Sequence, residues 1–402
     1  MAYACQSLDL SLSMDCLNVL QLVSQHENFL LHSIVDGDQN FGCYRKLGDV
    51  ASSITALGYH QEVPVNTSMP DILRPTRQAA FAHWYSTDKN VSIFLGRPSR
   101  FSKSSCSFPP INLEEYFSNV WSESDSLDFY AESRWAAMCA ALKEDCLELR
   151  KESEYAIASR RSRSIREVAA LQWSSLPQHF RLEGPFKAYD RDPVELDLLL
   201  AVKLNHLHVV FLLQFALLRK VAEPNADIAK ISAEMLGLII EALLLRDRII
   251  DSSTSLVWKV VYYGLSAAGV LCLTLLRPSF SFSEAQIDAS HVLRDLSVFT
   301  AVLEQGSLVS SDDANYALLA GATEAIKIVL NRRETHNHHI TGNSLQETEE
   351  ASNLCSTASV GDSWDPWQFN YFHDLQNPFW QSIADGDFDL DSVLEVLPDN
   401  GT

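Results

Sequence analysis

One segment of the chain, from Glu195 to Arg219, has the residue pattern of a long helix that is apolar on nearly all of its faces. Its apolar positions are Leu196, Leu198 to Ala201, Leu204, Leu207, Val209 to Leu213, Leu217 and Leu218. Such a helix needs protein over most of its surface, because it has no polar stripe to present to water. The segment therefore predicts a domain in which other helices surround it.

Patterns with a helical period recur along the chain and predict those surrounding helices. They cover Cys16 to Leu31, Gly42 to Leu57, Arg74 to Leu95, Asp128 to Leu149, Ala226 to Leu245, Ser253 to Leu276, Ser283 to Glu304 and Ser311 to Arg332. Candidate caps at the starts of the last four are Asp227, Ser253, Ser283 and Asp312 with Asp313. The sequence contains no sustained strand alternation and no internal repeat. We therefore predict an all-α, multi-helix regulatory domain over residues 1–333, followed by an acidic tail over residues 334–402.

Composition limits the classes of protein that the chain can belong to. Its 402 residues, 47% of them hydrophobic, are typical of an ordinary globular protein. The formal net charge of -21 argues against direct binding to a phosphate backbone, which requires a clustered excess of Lys and Arg. The longest apolar stretch, Leu256 to Leu276, includes Lys259 and two glycines, so we expect a buried helix and no membrane span.

The eight cysteines are scattered, and no pair has the Cys-x-x-Cys spacing of a small zinc cage. Unpaired thiols in a reducing, intracellular compartment are the simplest interpretation. The first residues have no basic stretch and no sustained apolar run, so we expect no secretory signal.

Two of the predicted helices end in a distinctive way. The second stops at Leu57-Gly58-Tyr59-His60 and the third at Leu95-Gly96-Arg97-Pro98. Glycine takes the positive φ that closes a helix, and Pro98 forbids continuation. Arg77 and Asp88 lie three turns apart on nearly the same face, where each is placed to bond a neighbouring helix end or a carboxylate. Taken singly, each of these residues is typical of a capped, amphipathic core helix, in which Phe81, Trp84, Val91, Ile93 and Leu95 form the buried stripe.

The order of these two endings, with Phe108-Pro109-Pro110 downstream, resembles the fungal-specific transcription factor domain. That domain is the helical regulatory region of zinc binuclear-cluster transcription factors. The segments Lys203 to Lys220, His291 to Glu304 and Tyr316 to Arg333 are similar to its long and closing helices, with lower specificity. The residues of this chain that match the family motif, in a structural role, are Gly58, His60, Arg77, Trp84, Asp88, Gly96, Arg97 and Pro98.

The resemblance implies a nuclear regulator of RNA polymerase II transcription, with the transcription machinery or coactivator proteins as partners and a small-molecule effector as a further candidate. The family's cysteine-rich zinc cluster and coiled coil are missing from this sequence, which begins inside the family's regulatory domain. We therefore expect DNA contact only indirectly or through a missing N-terminal module, and no cofactor other than the zinc of that module. A gene model that lost its 5′ part and a regulator that does not touch DNA itself both remain open.

The tail has the composition of an acidic activation segment. From Thr335 onward it has no Lys or Arg and twelve carboxylates, interleaved after Gly361 with aromatic and aliphatic residues. Such a segment stays largely disordered until a partner groove accepts its apolar side chains as a short helix. The expected activation anchors are Trp380, Phe388, Leu390 and Leu394. The alternative is that Trp364 to Phe379 folds back to cover an apolar groove on the helical domain.

Candidate chemistry is sparse, and we predict no catalytic residue, no metal ligand and no enzyme. His336, His338 and His339 stand in a polar run that is typical of a linker. Asp312-Asp313 resembles the acidic magnesium motif of isoprenoid cyclases but has no third acid, so helix capping is the better interpretation. The alternative class is an all-α small-molecule-binding protein or isoprenoid-type enzyme unrelated to transcription.

Overall fold

A computed structural model describes His26, Phe29 and residues 41–62, 73–107, 121–152, 154–218, 223–250, 254–277, 279–306, 308–342 and 380. Within these residues the chain forms α-helices and short 3₁₀ turns, with no strand. The predicted all-α fold is confirmed. The helix predicted over Cys16 to Leu31 lies outside the described residues except at His26 and Phe29.

Nine helices, numbered here in chain order, make up the described part of the chain. They are α1 (Phe41–Ala56), α2 (Leu73–Leu95), α3 (Phe129–Leu149), α4 (Tyr155–Ser175), α5 (Pro193–Ala216), α6 (Ala226–Leu244), α7 (Leu256–Leu276), α8 (Ala289–Glu304) and α9 (Tyr316–Gly342). Within α7, the turn Val260–Gly264 is π-helical. Most helix starts have a local cause: Asp128 caps α3 by accepting from the Ala131 N–H, and Asp192 caps α5 immediately before Pro193.

Two predicted caps and some helix starts were wrong. Helix α6 begins at Ala226 as predicted, but Asn225 caps it in place of Asp227, and Ser255 in place of Ser253 caps α7. Helix α8 begins at Ala289, capped by Asp288, because residues 281–287 close a hydrogen-bonded turn in which Gln286 has a φ of 54°. The sequence pattern missed this turn because its polar serines also suit a helix N-terminus.

The last helix also departs from its predicted bounds. Helix α9 begins at Tyr316, after a turn in which the Asp313 carboxylate accepts from the Asn315 N–H. It continues to Gly342, beyond the boundary predicted at residue 333, so His336, His338 and His339 lie on a helix and not in a linker. The polar composition of that stretch, which suggested a linker, does not by itself end a helix.

Helix α5 lies at the centre of the domain, as its apolar sequence predicts. It packs against α3, α4 and α6, while α2 packs on α3 and α7 packs on α6. Helices α8 and α9 pack on one another and cover α6 and α7. Their buried side chains form one continuous hydrophobic core.

Two helices, α5 and α7, are long and apolar enough to cross a membrane by length and composition. In this structure 83% and 89% of their most apolar windows lie buried inside the domain. The Lys259 ammonium of α7 forms an ion pair with Asp197 of α5 at 2.7 Å, with both side chains nearly fully buried. Helix α7 is thus a core helix of this fold, as its sequence predicted.

Candidate functional site

The motif residues Gly58 and Arg77 join the end of α1 to the start of α2. Gly58 has a φ of 69° and closes α1, and the guanidinium of Arg77 donates to its carbonyl oxygen. The same guanidinium lies 4.8 Å from the centre of the Tyr59 ring. Arg77 therefore bonds a neighbouring helix end, which is one of the contacts that its spacing predicted.

The other ending of the motif lies at the C-terminus of α2. Gly96 has a φ of 60°, and the Arg97 N–H donates to the Ser92 carbonyl at 2.9 Å, which closes the helix in a Schellman-type turn. The Arg97 guanidinium stacks on the Tyr44 ring at 4.8 Å. The Tyr44 hydroxyl donates to the Pro98 carbonyl at 3.2 Å. The end of α2 is therefore fixed against α1.

Asp88 is the centre of this junction. Its carboxylate is fully buried and accepts hydrogen bonds from the backbone N–H groups of Arg100 at 2.9 Å and Phe101 at 3.0 Å. The Arg100 guanidinium stacks on Tyr44 at 3.9 Å and donates to the Tyr44 carbonyl at 2.7 Å. Asp88 therefore holds the chain that follows α2 back along that helix, and Arg100 connects it to α1.

A buried ionic network extends from Asp88 to α3. The fully buried Lys89 ammonium lies 3.0 Å from Glu144 and 3.7 Å from Asp88, and the Tyr85 hydroxyl donates to Glu144 at 2.7 Å. Burial raises the pKa of Asp88, against the opposing effect of Lys89. Burial acts upward on Glu144 too, but Lys89 and the Tyr85 hydroxyl lower its pKa overall. These groups satisfy one another, so the network locks α2 to α3.

The two remaining motif residues also make structural contacts. The His60 carbonyl accepts from the Ser107 N–H at 3.0 Å. Trp84 is 4% exposed, with its ring edge to face with His26 at 5.1 Å and Phe29 at 5.4 Å. Apart from Trp84, whose ring contacts His26 and Phe29, the motif residues lie at the two ends of the contact between α1 and α2, which we call the α1–α2 junction.

An open depression of about 730 Å³ lies on the outer side of the α1–α2 junction. Its walls combine two aromatic rings, Phe41 and Tyr44, with two guanidinium groups, Arg45 and Arg100. Hydroxyl groups of Ser52 and Thr55 and the carboxylate of Asp49 complete the lining. Aromatic faces beside cations suit a small aromatic or anionic compound.

A second polar cluster, which the sequence analysis missed, lies inside the core. The fully buried Lys143 ammonium donates to the amide oxygens of Asn90 at 2.8 Å and Asn205 at 3.0 Å. The hydroxyl groups of Tyr262 and Tyr263, on the π-helical turn of α7, donate to the same two oxygens at 3.2 and 3.4 Å. Burial lowers the pKa of Lys143 to about 8.

This Lys143 cluster escaped prediction because its members come from four helices that are distant in sequence. The sequence does place Lys143 inside the apolar pattern of α3, but a lysine whose charged end reaches the surface gives the same pattern. All its polar atoms named above are used in bonds to one another, so the cluster can position helices. The residues bring no nucleophile and base together at an open surface.

The described residues form neither a metal-ligand cluster nor a reactive thiol. There, no group of three or more His, Cys, Asp or Glu side chains is arranged to hold a metal ion. The described cysteines are buried free thiols, namely Cys43, Cys106, Cys139, Cys146 and Cys272. Burial raises the pKa of Cys139 to about 12, which keeps this thiol protonated and poorly nucleophilic.

Of the four expected activation anchors, the structure describes Trp380. Its side chain is 2% exposed and belongs to the core cluster of the helical domain. Phe388, Leu390 and Leu394 lie outside the described residues. The fold-back alternative concerned Trp364 to Phe379, which lie outside the described residues, and it stays a prediction; the adjacent Trp380 packs into the domain.

No family model, no curated protein and no solved structure matches this chain. Functional inference therefore depends on the chain's own residues.

Proposed function

We propose that the chain is a fungal-type regulator of RNA polymerase II transcription that acts in the nucleus. Its helical domain is the regulatory module, and its acidic tail recruits coactivator proteins or the transcription machinery. The observation that carries this proposal is the tail, in which twelve carboxylates and no basic residue surround large apolar side chains after Thr335. Carboxylates keep such side chains hydrated and accessible until a partner groove binds them.

The α1–α2 junction gives the proposal a second support. Gly58 and Gly96 both have a positive φ, and Arg77 and Asp88 each hold the chain at a helix end. Most of the residues that carry the resemblance to the fungal regulatory domain thus contact one another where α1 and α2 meet. A chance match of scattered residues would not require this.

The charge of the chain favours protein partners over DNA. A formal net charge of -21 disfavours approach to a phosphate backbone, so we propose that DNA is reached indirectly or through another module. We propose no catalytic activity, because the two ionic clusters around Lys89 and Lys143 are buried and bonded within themselves.

The test is a fusion of residues 362–397 to a heterologous DNA-binding domain, read with a reporter gene. We expect activation, and we expect the triple variant Trp380→Ala, Phe388→Ala, Leu394→Ala to abolish it. Each buried apolar anchor contributes roughly 1.5–3 kcal/mol to binding. Replacing three carboxylates with amides is the matched control and should only weaken activation. A silent fusion, or a triple variant as active as its parent, would refute the proposal.

One observation favours the second candidate, an all-α small-molecule-binding protein: the open depression beside α1. Phe41, 64% exposed at its rim, offers a probe that does not disturb the core. A thermal-shift screen with small aromatic carboxylates would support this candidate if stabilisation occurs and is lost in Phe41→Ser. If the tail fusion is silent and the chain binds such a compound, the small-molecule-binding function replaces the proposed transcriptional function.

A further inference from the structure

Trp380 is distant in sequence from the helices, yet it lies in their core. It follows the end of α9 at Gly342 by a long acidic stretch, and its side chain is nevertheless 2% exposed within the cluster that the helices form. Burying a whole indole requires a recess walled by apolar side chains. The helical domain therefore has a docking site, and the occupant of that site is a residue of the chain's own C-terminal region.

The same residue belongs to the apolar set that the proposed function assigns to a coactivator. One indole ring cannot be buried in the helical domain and in a partner's groove at the same time. Resting on the proposed function, we propose that the helical domain masks the activation segment by holding Trp380, and that a coactivator must compete with this intramolecular contact. The occupant is this chain's own segment, not a second protein.

Covalent linkage and charge both favour this intramolecular masking contact. A tethered segment experiences an effective concentration in the millimolar range, so even a weak contact is well populated. The carboxylates that flank Trp380, such as Asp374 and Asp385, keep the segment soluble once it is released. A partner or effector releases the segment only to the extent that it binds the released form more tightly.

The first test measures docking directly in the unsubstituted full-length chain. Hydroxyl-radical oxidation of each tryptophan is quantified by mass spectrometry. The 1% exposed Trp135 of α3 is the protected reference, and the partly exposed Trp173 of α4 is the accessible reference. We expect Trp380 to react as slowly as Trp135, and about tenfold faster once the domain is unfolded in denaturant. A native rate equal to the denatured rate would overturn the proposal.

The second test measures masking. Trp380→Ala is compared in two fusions to a heterologous DNA-binding domain, one with residues 362–397 and one with the full chain. We expect the substitution to lower activation by the isolated segment but to raise that of the full chain roughly twofold or more, because the remaining anchors are released. Trp380→Phe, which keeps an aromatic ring for the recess, should leave the full chain weakly active.

The outcomes separate this inference from the function on which it rests. A fall in both fusions would show that Trp380 is an activation anchor alone and would overturn masking. A silent isolated segment would refute the proposed function, while the oxidation rate still decides whether Trp380 docks. If Trp380→Ala unfolds the full chain, as circular dichroism would show, Trp380→Phe and the oxidation experiment decide the matter.

Discussion

The carboxylate of Asp88 and the backbone N–H of Arg100 lie 2.9 Å apart, and this hydrogen bond connects the interior of α2 to the segment that follows it. The chain reverses after Gly96, and side chains of α1 and α2 hold the segment that follows. A fully buried carboxylate with two backbone donors supplies that hold. Asp88 therefore acts with the Lys89 ammonium, which donates to the Ser99 hydroxyl at 3.0 Å and to the Phe101 carbonyl, in holding this segment.

Asp88→Ala should destabilise the domain by about 3–5 kcal/mol, because it removes the acceptor of two backbone N–H groups and leaves buried cations with less compensation. Asp88→Asn keeps an acceptor and should cost less. Denaturant unfolding measures both. The control is Asp49→Asn on the exposed face of α1, for which we expect a change within about 0.5 kcal/mol. Equal stability of Asp88→Ala and the wild type would contradict this role.

Gly96→Val should destabilise the domain by roughly 1–2 kcal/mol or more, because a β-branched residue is strained at the φ of 60° that closes α2. The matched control is Gly321→Ala in α9, where an added Cβ meets no atom within 4 Å. That change should stabilise the helix by about 0.5–1 kcal/mol. Melting temperatures of the two variants should move in opposite directions. An unchanged value for Gly96→Val would argue against the assigned helix end.

Much of the fold could be predicted because its determinants are local. Helices α1, α2, α3 and α6 lie within one or two residues of their predicted bounds, since apolar period, caps and the glycine endings agree there. The start of α8 could not be predicted, since a turn centred on Gln286 and a helix N-terminus share the same polar residues. A local sequence pattern cannot predict the structure where two structures are locally acceptable and tertiary packing determines which one forms.

The candidate site was predictable only in part. The roles of Gly96 and Arg77 follow from backbone and helix geometry, which a single segment reveals. The cluster of Lys143, Asn90, Asn205 and Tyr262 is invisible at that level, because these residues meet only after four helices pack together. The burial of Trp380 is similar, since composition alone suggested an exposed residue.

The pH dependence of stability should include a contribution from Glu132 on α3. Burial raises its pKa in the folded chain to about 7, from the ordinary value of 4.5 for a glutamate. Between these pH values the unfolded chain ionises while the folded chain keeps its proton, so stability falls as pH rises from 4.5 to 7. Glu132→Gln should therefore be more stable than the wild type by up to about 3 kcal/mol at pH 8 and equal to it at pH 4.

Urea unfolding across this pH range checks the expectation for Glu132. Glu195→Gln, which removes a partly exposed carboxylate paired with Arg191 at 3.4 Å, is the control and should change stability by less than about 1 kcal/mol at either pH. If Glu132→Gln follows the wild-type curve at every pH, the carboxyl group does not titrate in the folded chain as described.

Purified full-length chain should show no sequence-selective binding to double-stranded DNA. With a formal net charge of -21, each approach of the chain to the phosphate backbone is opposed electrostatically. Fluorescence anisotropy with labelled duplexes at two salt concentrations measures this, with a basic DNA-binding protein as the positive control. A selective complex that weakens steeply with salt would show that the chain contacts DNA itself.

The buried ion pair of Asp197 and Lys259 permits a prediction about the two most apolar helices, α5 and α7. Lys259→Met leaves the Asp197 carboxylate buried without this cation, and Asp197→Leu leaves the ammonium buried without its anion. Each single change should destabilise by about 3–5 kcal/mol, because an uncompensated buried charge is far more costly than a paired one.

The double variant Asp197→Leu, Lys259→Met should recover most of that loss, because it removes both charges and leaves apolar side chains in an apolar core. A cycle of four proteins in urea gives the coupling energy, which we expect to exceed about 2 kcal/mol in favour of the pair. Arg191 and Glu195, a partly exposed pair at the start of α5, form the matched control cycle and should couple by less than about 1 kcal/mol. Additive losses at Asp197 and Lys259 would mean that each residue stabilises the core through other contacts and that the ion pair contributes no coupling.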